Sequence, residues 1–259
     1  MKRRITLMTC ARTVEHVMGL PVSVDVRGGD AAVDAALRDG FAWLHEVDAR
    51  FSPFRSDSEA TRFGRGEVAV HQLSADLAEV LGIAERYEVL TDGAFRSRIG
   101  ERGLDLCGVV KGWAIHRLAD QLSAAGAANF CVNAGGDVVT SGEPGPGRRW
   151  RVGIRHPLRG DRMCTTLSIG SAAVATSGNY ERGEHIFDGR TGRPASGLLS
   201  ITVVAPDLTT ADITATAAFA LGRPGIAWAA GQAGCLVFAV TDDGQVFRSA
   251  QLDGLLLAA

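Results

Sequence analysis

The chain has 259 residues, a formal net charge of -2 and 46% hydrophobic residues, enough for one large domain or two small lobes whose core needs no staples. So balanced a charge leaves no electrostatic footprint for nucleic acid or an anionic membrane surface. The five cysteines (Cys10, Cys107, Cys131, Cys164, Cys235) are odd in number and form no C-x-x-C pair, which argues against a disulfide framework and a cysteine zinc site.

In chain order, the start "MKRRITLMTCARTVEH" is basic, but its apolar stretch falls short of the roughly 7–15 residues of a signal-peptide core. No later apolar run reaches the roughly 18 residues of a membrane span. A cytoplasmic protein without a membrane span is therefore expected. "PVSVDVRG" alternates apolar and polar side chains and predicts a half-buried strand that ends at a Gly-Gly turn. Residues 30–51 place Val33, Ala36, Leu37, Phe41, Leu44 and Val47 on one stripe and predict a helix with Gly40 as a soft spot. A second helix is predicted over residues 74–91, stopped by "DG", and a third from near Val110 to Gly126.

The second half is richer in β signals. "NFCVNAGGDVVTSG", "RRWRVGIRHPL", "CTTLSIGSAAVATSG" and "LSITVVAPD" read as strands punctuated by Gly, Asn and Pro. "TTADITATAAFALG" returns to a helix, and "CLVFAVTDDGQVFRSAQL" reads as a hairpin turning at Asp242, Asp243 and Gly244. Strands that mostly follow one another, with helices between some of them, point to an α+β fold around one sheet system.

Four clusters could carry chemistry. In "DLCGVVKG", Lys111 either snorkels its ammonium to solvent or aims it at an anion near a helix N-terminus. In "CVNAGGDVVTSG", the paired glycines, flanked by Asn133 and Asp137, suit a close ligand approach or a plain turn. The G-x-G-x-x-G and Walker patterns are both missing. In "ATSGNYERGEHIFDGRTGRP", His185 and Asp188 bracket an apolar pair. Either could be structural, or His185 could act as acid or base. In "TTADITATAAF", Asp212 and Thr216 are four apart and share a helix face, a hard-oxygen pair suited to magnesium; alternatively Thr209 is the N-cap and Asp212 completes a capping box.

Taken together, these clusters and "MGLPVSVDV", "FSPFRSDSEATRF", "TDGAF" and "WRVGIRHP" occur in the order of the ApbE-like FAD:protein FMN transferases, which the chain resembles from about Met18 to Gly222. The resemblance implies a single domain over residues 1–259, α+β with a mixed sheet and flanking helices. It implies a magnesium-dependent enzyme that binds FAD, moves its FMN part onto a threonine hydroxyl of an acceptor protein and releases AMP. Met18, Phe54, Ala94, Phe95, Asp105, Lys111 and Ile186 match FAD-contacting positions. Gly108, through its carbonyl, Asp212 and Thr216 match the metal ligands. His185 and Asp188 become candidate bases for the acceptor hydroxyl.

Some relatives hydrolyse FAD to FMN and AMP, and a non-catalytic flavin-binding protein is the reading from a different class. Retention of Asp105, Lys111, Asp212 and Thr216 argues against a passive binder. The chain also departs from the family pattern. Arg96 follows "GAF" where aspartate is usual, only Arg96 to Leu104 separate that segment from Asp105, and "DGRTG" replaces "DPRTG". The expected consequence falls on the isoalloxazine end of the substrate more than on its pyrophosphate.

Overall fold

The alternating "PVSVDVRG" lies in a strand that buries Leu20, Val22, Val24 and Val26 on one face. In the computed structural model, which describes residues 10–98, 103–180 and 183–257, this strand is β2 (Leu20–Arg27), and it pairs with an unforeseen β1 (Cys10–Val17). Most of the leader-like start therefore lies outside the described residues. The β1–β2 turn is two residues long, Met18 and Gly19, both at positive φ (54° and 72°), as the twist of a tight hairpin requires.

Helix α1 (Ala31–Phe51) starts where Asp30 accepts the N–H groups of Ala32 and Val33. A short α2 (Glu59–Gly64) and α3 (Ala75–Leu90) follow, capped by Ser58 and Ser74. Helix α4 (Cys107–Ala124) begins three residues before the predicted Val110. Gly40 is a packing contact rather than a soft spot: a Cβ there would lie 2.2 Å from Leu118 Cδ1, so its bareness lets α1 and α4 close on each other.

The strands that follow are β3 (Phe130–Ala134), β4 (Asp137–Ser141), β5 (Trp150–His156), β6 (Arg159–Ile169), β7 (Ala172–Gly178), the short β8 (Phe187–Asp188) and β9 (Arg193–Pro194), and β10 (Leu198–Ala205). Helices α5 (Leu208–Leu221) and α6 (Pro224–Ala230) lead to β11 (Leu236–Thr241) and β12 (Val246–Arg248). Eight strands form one sheet in the order β1-β2-β3-β4-β7-β10-β11-β12. Where a mixed sheet was expected, every one of these pairings is antiparallel. The expected α+β architecture is present, with helices segregated to one face.

That segregation follows from the period-2 alternation of the central strands. Val139, Ala173, Ala175, Val203 and Ala205 pack with α1, α4 and α5, while Val138, Val174 and Val204 pack with Trp150, Val152, Leu167 and Ile169 of the β5–β6 ribbon. The small side chains on the helical face of β7 leave room for α5 to lie close. No helix among the described residues is long and apolar enough to cross a membrane.

Candidate active site

Helices α4 and α5 touch through Gly112. A Cβ there would stand 2.7 Å from both Asp212 Cβ and the Leu208 carbonyl oxygen, so only glycine permits this approach. The contact brings the Gly112 N–H to Asp212 Oδ2 at 2.9 Å. Helix geometry aims that N–H at the Gly108 carbonyl, so Asp212 competes for it and leaves the carbonyl with lone-pair capacity. The capping-box alternative for Asp212 is replaced: the N-cap is Asp207, which accepts the Thr210 N–H at 2.8 Å, and Asp212 lies inside α5.

Asp212 Oδ1 lies 3.2 Å from Lys111 Nζ, and the same ammonium pairs with Asp137 at the start of β4. Both carboxylates are almost fully buried, at 5% and 3% side-chain exposure, while Lys111 keeps 24% and reaches the cleft. Burial opposes charging the lysine, but Asp137 and Asp212 outweigh it and hold the ammonium above the usual lysine value. Burial also pushes the Asp212 carboxyl well above the usual carboxylate range, with Lys111 pulling against that push and Asp137 adding to it. The snorkelling alternative for Lys111 therefore gives way to a charge held between two acids.

One turn after Asp212, Thr216 Oγ1 lies 3.2 Å from Ser177 Oγ of β7. A Cβ on Gly108 would lie 3.2 Å from Thr216 Cγ2 and from the Phe95 ring, which puts the start of α4 directly against both. Asp105 opens that helix by accepting the Cys107 N–H at 2.9 Å. Among the described residues no group of three or more His, Cys, Asp or Glu side chains could hold a metal. The oxygens of Asp212, Thr216 and the Gly108 carbonyl nonetheless suit a hard cation. Two buried carboxylates against one ammonium leave negative charge for a divalent ion to neutralise, so the residues fit magnesium.

These groups floor a cleft of about 650 Å³, a size ordinary for small-molecule sites. Met18, Phe54, Phe95, Asp105, Gly108, Lys111, His185, Ile186, Asp212 and Thr216 all line it. Phe54 stands 94% exposed on the rim. Ala94 is buried behind the wall, and its carbonyl accepts the Gly189 N–H at 2.8 Å.

The two candidate bases separate. His185 is exposed and lines the cleft, its Nδ1 2.9 Å from the Gly183 carbonyl oxygen. Asp188 is not among the lining residues. Its carboxylate takes the Arg190 guanidinium at 2.9 and 2.8 Å, and that hydrogen-bonded pair holds its carboxyl below the usual range. Asp137, noted from the sequence only as flanking the paired glycines, was given no role in the site. Its only signal was an acid directly after Gly135-Gly136, and its pairing depends on where β4 lies in the sheet.

The ApbE family profile matches residues 18–103 and 96–238, which include every cleft residue named above. The chain belongs to the ApbE family. Among ApbE relatives, the Rhodobacter capsulatus protein named FAD:protein FMN transferase is 35% identical over 226 residues, 84% of this chain and 40% of that protein. The Haemophilus influenzae protein of the same name is 27% identical over 274 residues, 80% of this chain and 79% of the relative. Two solved ApbE structures share the fold: the flavin transferase from Vibrio cholerae (TM-score 0.81, 24% identity) and the protein from Thermotoga maritima (TM-score 0.85, 22% identity). Each alignment covers 96% of this chain and 100% of the solved one.

Proposed function

We propose that the chain, as one domain, is an FAD:protein FMN transferase: it binds FAD, passes the FMN portion to a threonine hydroxyl of an acceptor protein and releases AMP. The observation that carries this is Lys111, held between Asp137 and Asp212 on the floor of a cleft with an aromatic rim. A fixed ammonium there meets the pyrophosphate, while Phe54, Phe95, Met18 and Ile186 offer apolar surface to the ring system. The names of the ApbE relatives support the same activity.

In the proposed reaction the threonine Oγ bonds to the FMN-side phosphorus, and the bond from that phosphorus to the bridging oxygen breaks. AMP leaves with the bridging oxygen and its electron pair. His185, exposed on the cleft wall, takes the hydroxyl proton. Asp188 is less suited to that role, because Arg190 occupies its carboxylate. Magnesium would be held by Gly108, Asp212 and Thr216, and it would supply charge neutralisation on the phosphate oxygens. Lys111 and the first turn of α4 add positive potential from the protein itself.

Intact-mass analysis of an acceptor carrying an S/T-G-A-T-like site, after incubation with the protein, FAD and magnesium, tests the proposal. The expected result is a gain of one FMN on the acceptor. Free FMN and AMP beside an unmodified acceptor would make the enzyme an FAD pyrophosphatase using water. FAD recovered unchanged would remove both activities.

A further inference from the structure

We infer that Asp137 is a positioning residue that holds Lys111 on the sheet side of the site and so keeps Asp212 available to a divalent cation. The inference rests on the cation site proposed at Gly108, Asp212 and Thr216. Asp137 is fixed from two directions. Its Oδ1 accepts the N–H of Thr176 on neighbouring β7 at 2.9 Å, and its other oxygen faces the Lys111 ammonium. It stands just beyond the last ladder pairs of β4 with β7, Val138 with Val174 and Val139 with Ala173, so the carboxylate satisfies an N–H that the ladder leaves over.

Asp212 is held differently. Gly112 N–H occupies its Oδ2, and only Oδ1 faces the lysine, at 3.2 Å. One ammonium is thus shared by an acid anchored on the sheet and an acid carried by α5. When a cation takes Asp212, Lys111 still has a carboxylate partner, because Asp137 is carried by β4 and not by α5. Without the Asp137 charge, Lys111 has Asp212 alone, and the lysine competes with the cation for the same oxygen.

The test is Mn²⁺ binding to the FAD-free protein, followed by the electron paramagnetic resonance signal of free Mn²⁺, in a cycle of Asp137→Asn and Lys111→Met. Asparagine keeps an oxygen for Thr176 and puts an uncharged amide nitrogen in place of the carboxylate oxygen that faces Lys111. Asp137→Asn should weaken Mn²⁺ binding about tenfold in the wild-type background, a coupling typical of residues in contact. With Lys111→Met already in place it should weaken binding less than about threefold. Equal losses in both backgrounds would overturn the inference, since Asp137 would then act on the cation directly.

Lys111→Met alone should tighten binding, and unchanged or weaker binding would also overturn the inference, even if Asp137→Asn fails to fold. Asp212→Asn is the control that separates the two proposals. If it leaves Mn²⁺ binding intact, the cation site is misplaced and this inference falls with it; if it abolishes binding while the cycle is additive, only the role of Asp137 is wrong.

Discussion

The floor and the rim of the cleft are built in different ways. On the floor, Lys111, Asp137, Asp212 and Thr216 come from two helices and a strand, and each is tied to a second element by a hydrogen bond or an ion pair. On the rim, Phe54 is almost wholly exposed and the His185 ring hydrogen-bonds Gly183 of its own loop, while nearby Asp188 is paired two residues away with Arg190. On the proposed function, the difference suits the two ends of FAD. Positioning a pyrophosphate for in-line displacement needs preorganised charge, whereas an aromatic ring system accepts an adaptable surface, and an incoming acceptor protein needs an open one.

The largest effect is expected at the floor. Gly112→Ala would press a methyl group against Asp212 and the Leu208 carbonyl, parting α4 from α5. The expected loss is about 1–3 kcal/mol of stability, a fall of roughly 2–4 °C in Tm per kcal/mol, measured by calorimetry. An unchanged melting temperature would mean that the helix seam is looser than described.

At the rim the expectation reverses. Phe54→Ala should leave stability within about 0.5 kcal/mol and raise KM for FAD roughly 3- to 10-fold, the value of one aromatic contact. Steady-state kinetics beside a thermal melt would show whether binding and stability separate in this way.

The smallest effect is expected at Asp188. Arg190 lowers its carboxyl in the folded state, so the pair stabilises the fold above the ordinary carboxylate value of about 4, and the contribution is lost as pH falls through the lower folded value. Asp188→Asn should cost less than about 1 kcal/mol at pH 7, and in urea melts the gap from wild type should narrow progressively as pH is lowered below about 4. A gap that widens on acidification would contradict the pairing.

Much of the floor was legible in the sequence because regular elements convert spacing into direction. Asp212 and Thr216, four apart, do share the cleft-facing side of α5, and the strand and helix spans around Lys111 were readable from periodicity. What periodicity could not supply was pairing across distance. Asp137 meets Lys111 and Thr176 only because β4 lies beside β7 while the β5–β6 ribbon loops out to the other face. Gly40 read as a soft spot, and Gly112 carried no signal of its own, because their partners, Leu118 and Asp212, are about 80 and 100 residues away.

Elements on the margins were missed for a different reason. Helix α2 has six residues and β8 and β9 have two each, too few for a period to register. Phe54 on the rim and Ile186 on the cleft wall were matched by resemblance to the family, since an exposed aromatic and a buried isoleucine carry no signal of their own.

On the proposed function, the charged floor splits the pyrophosphate of FAD. AMP released from FAD, quantified by chromatography in the presence of acceptor, addresses it directly, comparing wild type with magnesium, wild type with a chelator, and Asp212→Ala with magnesium. AMP is expected from the first at a rate at least about a hundredfold above the other two, while circular dichroism shows the fold retained. AMP release at the wild-type rate from Asp212→Ala, or in the presence of the chelator, would contradict it.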